Sequence, residues 1–394
     1  MPRFHLPKAK NKPKDYSIIP WTEDFRCEDP VQKVQKIMQE QEISLDKLVN
    51  HLHFHLDWDR DKAELVKEMI ENEIKLVRND QEVNIVINLP FCVWRCFNCT
   101  NVMYDRCKNQ DIYPYFFEAL LKEINHTKEL VKNKCYMVRN IHFTGNILAL
   151  EPEKIEILLR SLNYSFSKIS VELGSPSFVT EEKLAILKKY NVSRIIINAL
   201  TFNTVTLRKL CRRFEFKDLY EVYKLIIGYG FETSFELVVG LLDEKELRLT
   251  RNLELASDLG ASNIDIYASQ CRYLSEPDIT NAEQIAEQRH LLDVANKTML
   301  ARGYKPYFLY CSEVKNGCFE NVGWTLEGQG SHFMKDKYEK ISTIIGCGTQ
   351  SESILVKNIG NKKTFFKNPY DISLYVFGID ELLFKKEKFF ELLW

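Results

Sequence analysis

No run of apolar residues in this 394-residue chain approaches the roughly 18–20 needed to span a bilayer. The N-terminal stretch MPRFHLPKAKNKPKDYS is basic but lacks the apolar core of a secretory signal. Charge of one sign is lacking as well. The 54 Lys and Arg against 55 Asp and Glu leave a formal charge of −1, with neither a basic field for nucleic acid nor an acidic tail. A disulfide framework is also missing: 11 cysteines, an odd number without regular spacing, stand in a long chain with no signal peptide. These absences predict a soluble, cytoplasmic protein with no nucleic-acid or membrane partner.

With 45% hydrophobic and 12% aromatic residues, the chain can bury a full core, and its length suits one barrel-type domain with smaller attachments. The most informative stretch is Asn84–Cys99, NIVINLPFCVWRCFNC. Ile85–Leu89 reads as a buried strand that Pro90 ends, because proline offers the next ladder no donor. Cys92, Cys96 and Cys99 follow at Cys-x3-Cys-x2-Cys, so their thiols gather in the loop leaving a strand's C-terminal end. Thiolates hold iron–sulfur clusters. A four-iron cube has four corners, and three local cysteines leave one iron open to an exchangeable ligand. Two other readings stand beside this one: three buried cysteines, since cysteine is often in the core, or a closed zinc site completed by Cys107.

Along the chain, strands alternate with helices. Residues 1–30 are rich in Lys and Pro, and 31–78 read as helical from the faces Val34, Ile37, Met38 and Ala63, Leu65, Val66, Met69, Ile70. Strands are expected at 85–89, 140–143, 168–173, 194–199, 232–239 and 263–268. Helices are expected at 115–131, 151–162, 180–190, 204–211, 217–229 and 245–259, with a long helix over 283–302. Pro152 suits a first helical turn. Thr180 with Lys183 makes a poor capping box, although Thr180, Glu181 and Glu182 suit a first turn. Six βα units predict an α/β fold with a parallel sheet, a partial (β/α)6 barrel. A helical N-terminal extension (1–80) precedes the barrel (81–270), and a smaller α+β region (271–394) follows. Active sites of such barrels collect at the C-terminal strand ends, where Gly145, Glu172 and Glu236 fall.

The chain resembles the radical S-adenosylmethionine (SAM) family of oxygen-independent coproporphyrinogen III oxidases, especially the HemZ-type branch, over about residues 60–390. Beyond the cysteines, Ser170–Pro176 (SVELGSP) is similar to the family's VEAGRP, Arg194–Phe202 (RIIINALTF) to RISINPQTM, and Phe235–Leu241 (FELVVGL) to MDLIIGL. Pro306–Tyr310 (PYFLY) and Glu320–Trp324 (ENVGW) resemble PYYLY and ENVGY. Ile344–Ser351 resembles a glycine-rich turn, and Asn368–Leu383 the closing helix.

The resemblance implies a radical SAM oxidoreductase, coproporphyrinogen dehydrogenase-like. It uses a 4Fe–4S cluster to cleave SAM and remove a substrate hydrogen, converting propionates to vinyls or acting on an altered substrate. It implies Cys92, Cys96 and Cys99 as cluster ligands and Phe97, Gly145, Glu172, Arg212 and Glu236 beside SAM, with the carboxylates suited to ribose hydroxyls and the guanidinium to a carboxylate. Tyr310, Glu320, Asn321 and Trp324 are the implied substrate-pocket residues. The implied partners are a small molecule, a tetrapyrrole or another, and an electron donor such as flavodoxin or ferredoxin. The alternative is a non-catalytic or weakly catalytic relative that binds or carries haem or another tetrapyrrole.

Departures from the family pattern bear on the substrate. The GGTP-like turn is here Thr144, Gly145, Asn146, Ile147 and Leu148. Leu200 replaces a glutamine, and Cys211–Phe214 replaces GRxH. Val86 replaces a tyrosine, and Cys311, Ser312 and Glu313 replace a basic RQK suited to propionates. Gly346 and Gly348 read as a backbone turn. His51, His53 and His55 alternate as on one strand face, a spacing that could bind metal or haem, though packed or solvated histidines are commoner.

Overall fold

The computed structural model describes residues 81–92, 96, 104–105, 109–162, 164, 167–241, 244–269, 282–314, 317–340, 342–357 and 362–391. The expected N-terminal extension, the histidines 51, 53 and 55, and Phe97, Cys99 and Cys107 lie outside the described residues.

The first half runs β1 (Glu82–Leu89), β2 (Phe91–Cys92), β3 (Tyr104–Asp105), α1 (Tyr113–Asn133), β4 (Met137–Gly145), α2 (Pro152–Ser161), β5 (Lys168–Leu173), α3 (Glu181–Lys189) and β6 (Val192–Leu200). It continues with α4 (Thr204–Lys209), α5 (Phe216–Gly228), β7 (Glu232–Val239), α6 (Glu246–Asp258) and β8 (Asn263–Ala268). The C-terminal elements are α7 (Ala282–Ala301), β9 (Lys305–Val314), β10 (Gly317–Thr325), α8 (His332–Glu339), β11 (Thr343–Cys347), β12 (Glu352–Lys357), β13 (Lys362–Lys367), α9 (Ile372–Phe377) and α10 (Ile379–Glu391).

β1, β4, β5, β6, β7 and β8 lie side by side in that order, all parallel, which is the expected βα succession. The period of two sorts their side chains. Ile85, Ile87, Ile141, Phe143, Val171, Ile195, Ile197, Phe235 and Ile264 are at most 1% exposed and join one large apolar cluster. The intervening residues are mostly polar: Asn84, Asn140, His142, Ser170, Glu172, Arg194, Asn198, Glu236, Asp265 and Tyr267. They face the inner side of the sheet, where most are held by hydrogen bonds to one another or to adjacent residues, because a buried polar group without a partner is costly; Asp265 Oδ2 is an exception. Asn140 donates to Asn84 at 2.7 Å, and Arg194 donates to Glu232 at 2.7 Å, to Ser234 at 3.0 Å, to the Gln329 carbonyl at 2.7 Å and to Asn263.

The C-terminal strands extend this same sheet at both edges. β11 runs parallel on the free edge of β1, with β12 and β13 antiparallel beyond it; β10 and β9 run antiparallel beyond β8, giving eleven strands. Helix α8 packs on β9 and reaches the inner face. There Phe333 and Met334 join Ile196 and Phe308 in a small apolar cluster against Val86. Thr180 does cap α3: its hydroxyl accepts from the Lys183 amide at 3.3 Å, and a cap needs only that backbone donor, whatever the side chain at that position. No helix among the described residues is long and apolar enough to cross a membrane.

Candidate active site

The cysteine loop starts where β1 ends. Pro90 separates β1 from β2, which pairs in parallel with β3 through Phe91↔Tyr104 and Cys92↔Asp105. Phe91 is buried, with its ring edge-on to Tyr113 at 4.9 Å and Phe116 at 5.2 Å. The Tyr104 hydroxyl accepts from the Ile372 amide at 2.9 Å and donates to the Tyr370 carbonyl at 3.1 Å, so the start of α9 pins the base of the loop. Cys92 and Cys96 are half-buried and neither is in a disulfide.

Two glycines flank the end of β1. A Cβ on Gly145 would stand 2.3 Å from the Leu89 carbonyl oxygen, and one on Gly348 would stand 2.2 Å from that of Asn88; both have positive φ, +88° and +96°. Only glycine permits this approach and conformation together. Asn88 also donates to the Thr349 carbonyl at 2.6 Å, so the β11 turn closes against β1 through its backbone.

Next to Gly145, Glu172 accepts three hydrogen bonds: from the Gly145 amide at 2.9 Å, from Thr144 Oγ1 at 3.1 Å, and from His142 Nε2 at 3.1 Å. Burial opposes its charge, but the hydrogen bond from His142, the charge of Lys337 and the Gly145 amide outweigh burial and hold its carboxyl below the usual range. Burial also keeps His142 neutral. A neutral imidazole has one N–H, which an ionised Glu172 requires at Nε2, so Nδ1 accepts from Ser170 Oγ at 2.9 Å.

A second chain of contacts crosses β6, β7 and β8. Arg212 donates to the Gly174 carbonyl at 2.8 Å, to the Asn198 carbonyl at 3.1 Å and to Asn198 Oδ1 at 2.7 Å. Asn198 Nδ2 in turn donates to Glu236 at 2.6 Å, and the Tyr267 hydroxyl donates to the other Glu236 oxygen at 3.2 Å. Tyr267 meets the Tyr338 hydroxyl at 2.9 Å, and Tyr338 stacks on Tyr310 with centroids 4.5 Å apart and rings 3° from parallel. Burial, helped by the negative charge of Glu172, pushes the Glu236 carboxyl up to about 7. The two glutamates therefore differ in ionisation near neutrality: Glu172 is a charged acceptor, whereas Glu236 is poised to hold or release a proton.

The structure thus brings Gly145, Glu172, Arg212 and Glu236 together at the C-terminal strand ends, above the same lumen. Arg212 is committed to protein oxygens and is not a free cation. Tyr310 faces this lumen. Asn321 is buried, with Oδ1 accepting from the Ala268 amide at 2.8 Å and Nδ2 donating to Ser312 at 2.6 Å, so its amide ties β10 to its neighbours. Glu320, half-buried, pairs across the hairpin with Cys311. Trp324 is 1% exposed within the large apolar cluster, away from the lumen, because its strand position turns it to the sheet's outer face. His142, Asn198, Tyr267, Lys337 and Tyr338 are the additions. The first three share the alternating lumen positions with Glu172 and Glu236, which is the signal that finds them.

Residues 86–253 match the family profile described as the Radical SAM superfamily. The chain is similar to the oxygen-independent coproporphyrinogen-III oxidase-like protein HemZ of Bacillus subtilis, with 27% identity over 350 residues, 84% of this chain and 69% of that protein. It is 27% identical to the haem chaperone HemW of the same organism over 190 residues, 46% of this chain and 49% of that one. Its fold is similar to coproporphyrinogen III oxidase (HemN) from Escherichia coli, with a TM-score of 0.60 and 15% identity, covering 83% of this chain and 74% of that one. Radical SAM proteins use a 4Fe–4S cluster and SAM. The donors here fit such groups: two cysteines outside any disulfide follow β1, and at the ends of the neighbouring strands are a carboxylate acceptor and a backbone stripped of Cβ at Gly145.

Proposed function

We propose that this chain is a radical SAM enzyme of the HemN/HemZ type and that it removes a hydrogen atom from a carboxylate-bearing small molecule, a tetrapyrrole propionate or a related group. Cys92, Cys96 and Cys99 would hold the cluster, and Phe97 would serve the adenine of SAM. When bound, cluster and SAM together supply a 5′-deoxyadenosyl radical. Every other task falls to the chain. Glu172, charged and fixed by three donors, accepts from one ligand hydroxyl. Glu236, held by Asn198 and Tyr267, accepts from another. Arg212 positions Asn198. The aromatic group Tyr267, Tyr310 and Tyr338 walls the lumen and excludes water, which protects a reactive intermediate.

What supports this reading above all is the convergence of two carboxyls, one held ionised and one poised near neutrality, at the strand ends from which the loop of Cys92 and Cys96 departs. The change of basic residues to Cys311, Ser312 and Glu313 supports an altered substrate, or slow conversion of coproporphyrinogen III. The similarity to HemW supports a second reading, a protein that binds haem without turnover. Anaerobic reconstitution, reduction and chromatography for 5′-deoxyadenosine, with and without coproporphyrinogen III, test both. No 5′-deoxyadenosine under any condition would overturn the enzyme reading.

A further inference from the structure

Helix α8 carries into the lumen a cation that no hydrogen bond among the described residues uses. Phe333 stacks on His142 with centroids 4.3 Å apart, Asp336 accepts from Asn84 at 2.9 Å, and Tyr338 meets Tyr267 at 2.9 Å. These anchors touch β4, β1 and β8, and Lys337 stands among them. It is half-buried, with its ammonium 5.0 Å from the centroid of the Tyr338 ring. Its charge acts on His142, Glu172, Glu236 and Asp265, inner-face groups of four different strands, which locates it inside the curve of the sheet.

The neighbouring cations are committed elsewhere. Arg212 donates three hydrogen bonds to Gly174 and Asn198, and Arg194 is held by Glu232, Ser234, Asn263 and Gln329. Lys337 forms neither a hydrogen bond nor an ion pair among the described residues; its one close partner is the ring face of Tyr338. A partly desolvated ammonium with three unused donors is a strong site for an anion. Without such a charge, an anionic ligand would meet repulsion from ionised Glu172 and, in part, from Glu236.

We propose that Lys337, held at the lumen floor by the anchors of α8, binds a carboxylate of the ligand. The inference rests on the function proposed above and assigns that site's anion recognition. Two ligands could bring the carboxylate: the methionine end of SAM, or the substrate.

The test uses full-length, anaerobically reconstituted protein and two ligand pairs: SAM with decarboxylated SAM, and coproporphyrin III with its tetramethyl ester. In Lys337→Met, affinity for at least one carboxylate ligand falls about tenfold or more, while its carboxylate-free partner binds as it does to the wild type. Lys337→Arg recovers most of the loss. Loss confined to SAM assigns the methionine carboxylate, and loss confined to coproporphyrin assigns the substrate. Unchanged affinity for both, or equal loss for a ligand and its carboxylate-free partner, overturns the inference alone. Wild-type protein that binds neither SAM nor coproporphyrin overturns the proposed function itself. Should Lys337→Met fail to fold, Lys337→Gln, checked by its melting curve, carries the same expectations.

Discussion

Arg212 grips Asn198 by both of its oxygens, the backbone carbonyl at 3.1 Å and Oδ1 at 2.7 Å, and so fixes which way the amide faces. With Oδ1 turned to the guanidinium, Nδ2 has to face Glu236, 2.6 Å away. Arg212 therefore acts on the site through Asn198.

That coupling has a measurable form. At pH 8, where Glu236 is mostly ionised, Glu236→Ala should weaken SAM binding about tenfold or more, since a hydrogen bond to a charged partner is worth about 1.5–3 kcal/mol. Arg212→Ala should also weaken it, and the double variant should lose less than the sum, because both changes break one network. Exposed Arg213→Ala is the control, with little expected change. Additive losses in calorimetric titration would show that Arg212 and Glu236 act separately.

Replacing Cys92, Cys96 or Cys99 by alanine should remove the brown chromophore and SAM cleavage, whereas Cys107→Ala should leave both intact. Iron and sulfide analysis after anaerobic reconstitution checks this. Loss of iron in Cys107→Ala would mean a closed four-ligand site.

The pH dependence of stability should carry the mark of Glu236. Its folded pKa of about 7 lies above the ordinary carboxyl value of 4.5. Between these values the folded state binds more protons than the unfolded one, so stability falls as pH rises, then levels above about 7. The interval corresponds to about 3 kcal/mol. Glu236→Gln mimics the protonated acid, so it should gain on the wild type by up to about 3 kcal/mol between pH 5 and pH 8. The contribution of Glu244, also pushed up by burial, is common to both proteins and cancels, whereas Asp265 is held up in part by the charge of Glu236, so its own loss shrinks in the variant and adds to the same gain. Chemical denaturation at the two pH values measures the difference; a pH-independent offset would show Glu236 already ionised at pH 5.

Gly145→Ala should be far costlier than Gly260→Ala. Both glycines have positive φ, but a Cβ at Gly260 meets nothing within 4 Å, whereas at Gly145 it strikes the Leu89 backbone. The Gly260 change costs the left-handed penalty alone, about 1–2 kcal/mol. The Gly145 change adds a clash that a backbone carbonyl can relieve only by moving β1, at least about 1–3 kcal/mol more. Denaturation midpoints decide between equal and unequal losses.

Glu123 and Lys386 form an ion pair at 2.9 Å with both side chains 0% exposed. Asn368, Tyr375 and the Gly348 amide complete the carboxylate, and the Gly346 carbonyl accepts from Lys386 at 2.6 Å. The pair fastens α1 and α10 to the turn that closes on β1. Lys386→Met alone should cost about 3–5 kcal/mol by stranding a buried charge, and Glu123→Gln added to it should restore part of that loss. Urea denaturation of the single and double variants gives the comparison.

Within the barrel, the match between sequence and fold follows from local physics. β7 and β8 have the bounds expected from their apolar alternation, 232–239 and 263–268, because a strand's period of two is written residue by residue. The strand bounds alone put Glu172 and Glu236 at C-terminal strand ends, and the structure adds that both face the lumen. The C-terminal region is different. ENVGW reads as a unit, yet Asn321 ties strands together and Trp324 lies in the core, because consecutive strand residues point to opposite faces. Lys337 looks like any surface lysine of a short amphipathic helix. Its place in the lumen comes from where α8 docks.

The sequence by itself therefore determined the six βα units, the thiol loop at the end of the first strand and the polar inner face, since each is set by neighbours along the chain. Only the tertiary structure decided what lies across that face: Arg212 on Asn198, Tyr338 on Tyr267, and α8 with its Lys337. Those are contacts between residues 14, 71 or more positions apart. No local period encodes such distances, because they depend on how both edges of the sheet are extended and on which helix the curved sheet leaves room for.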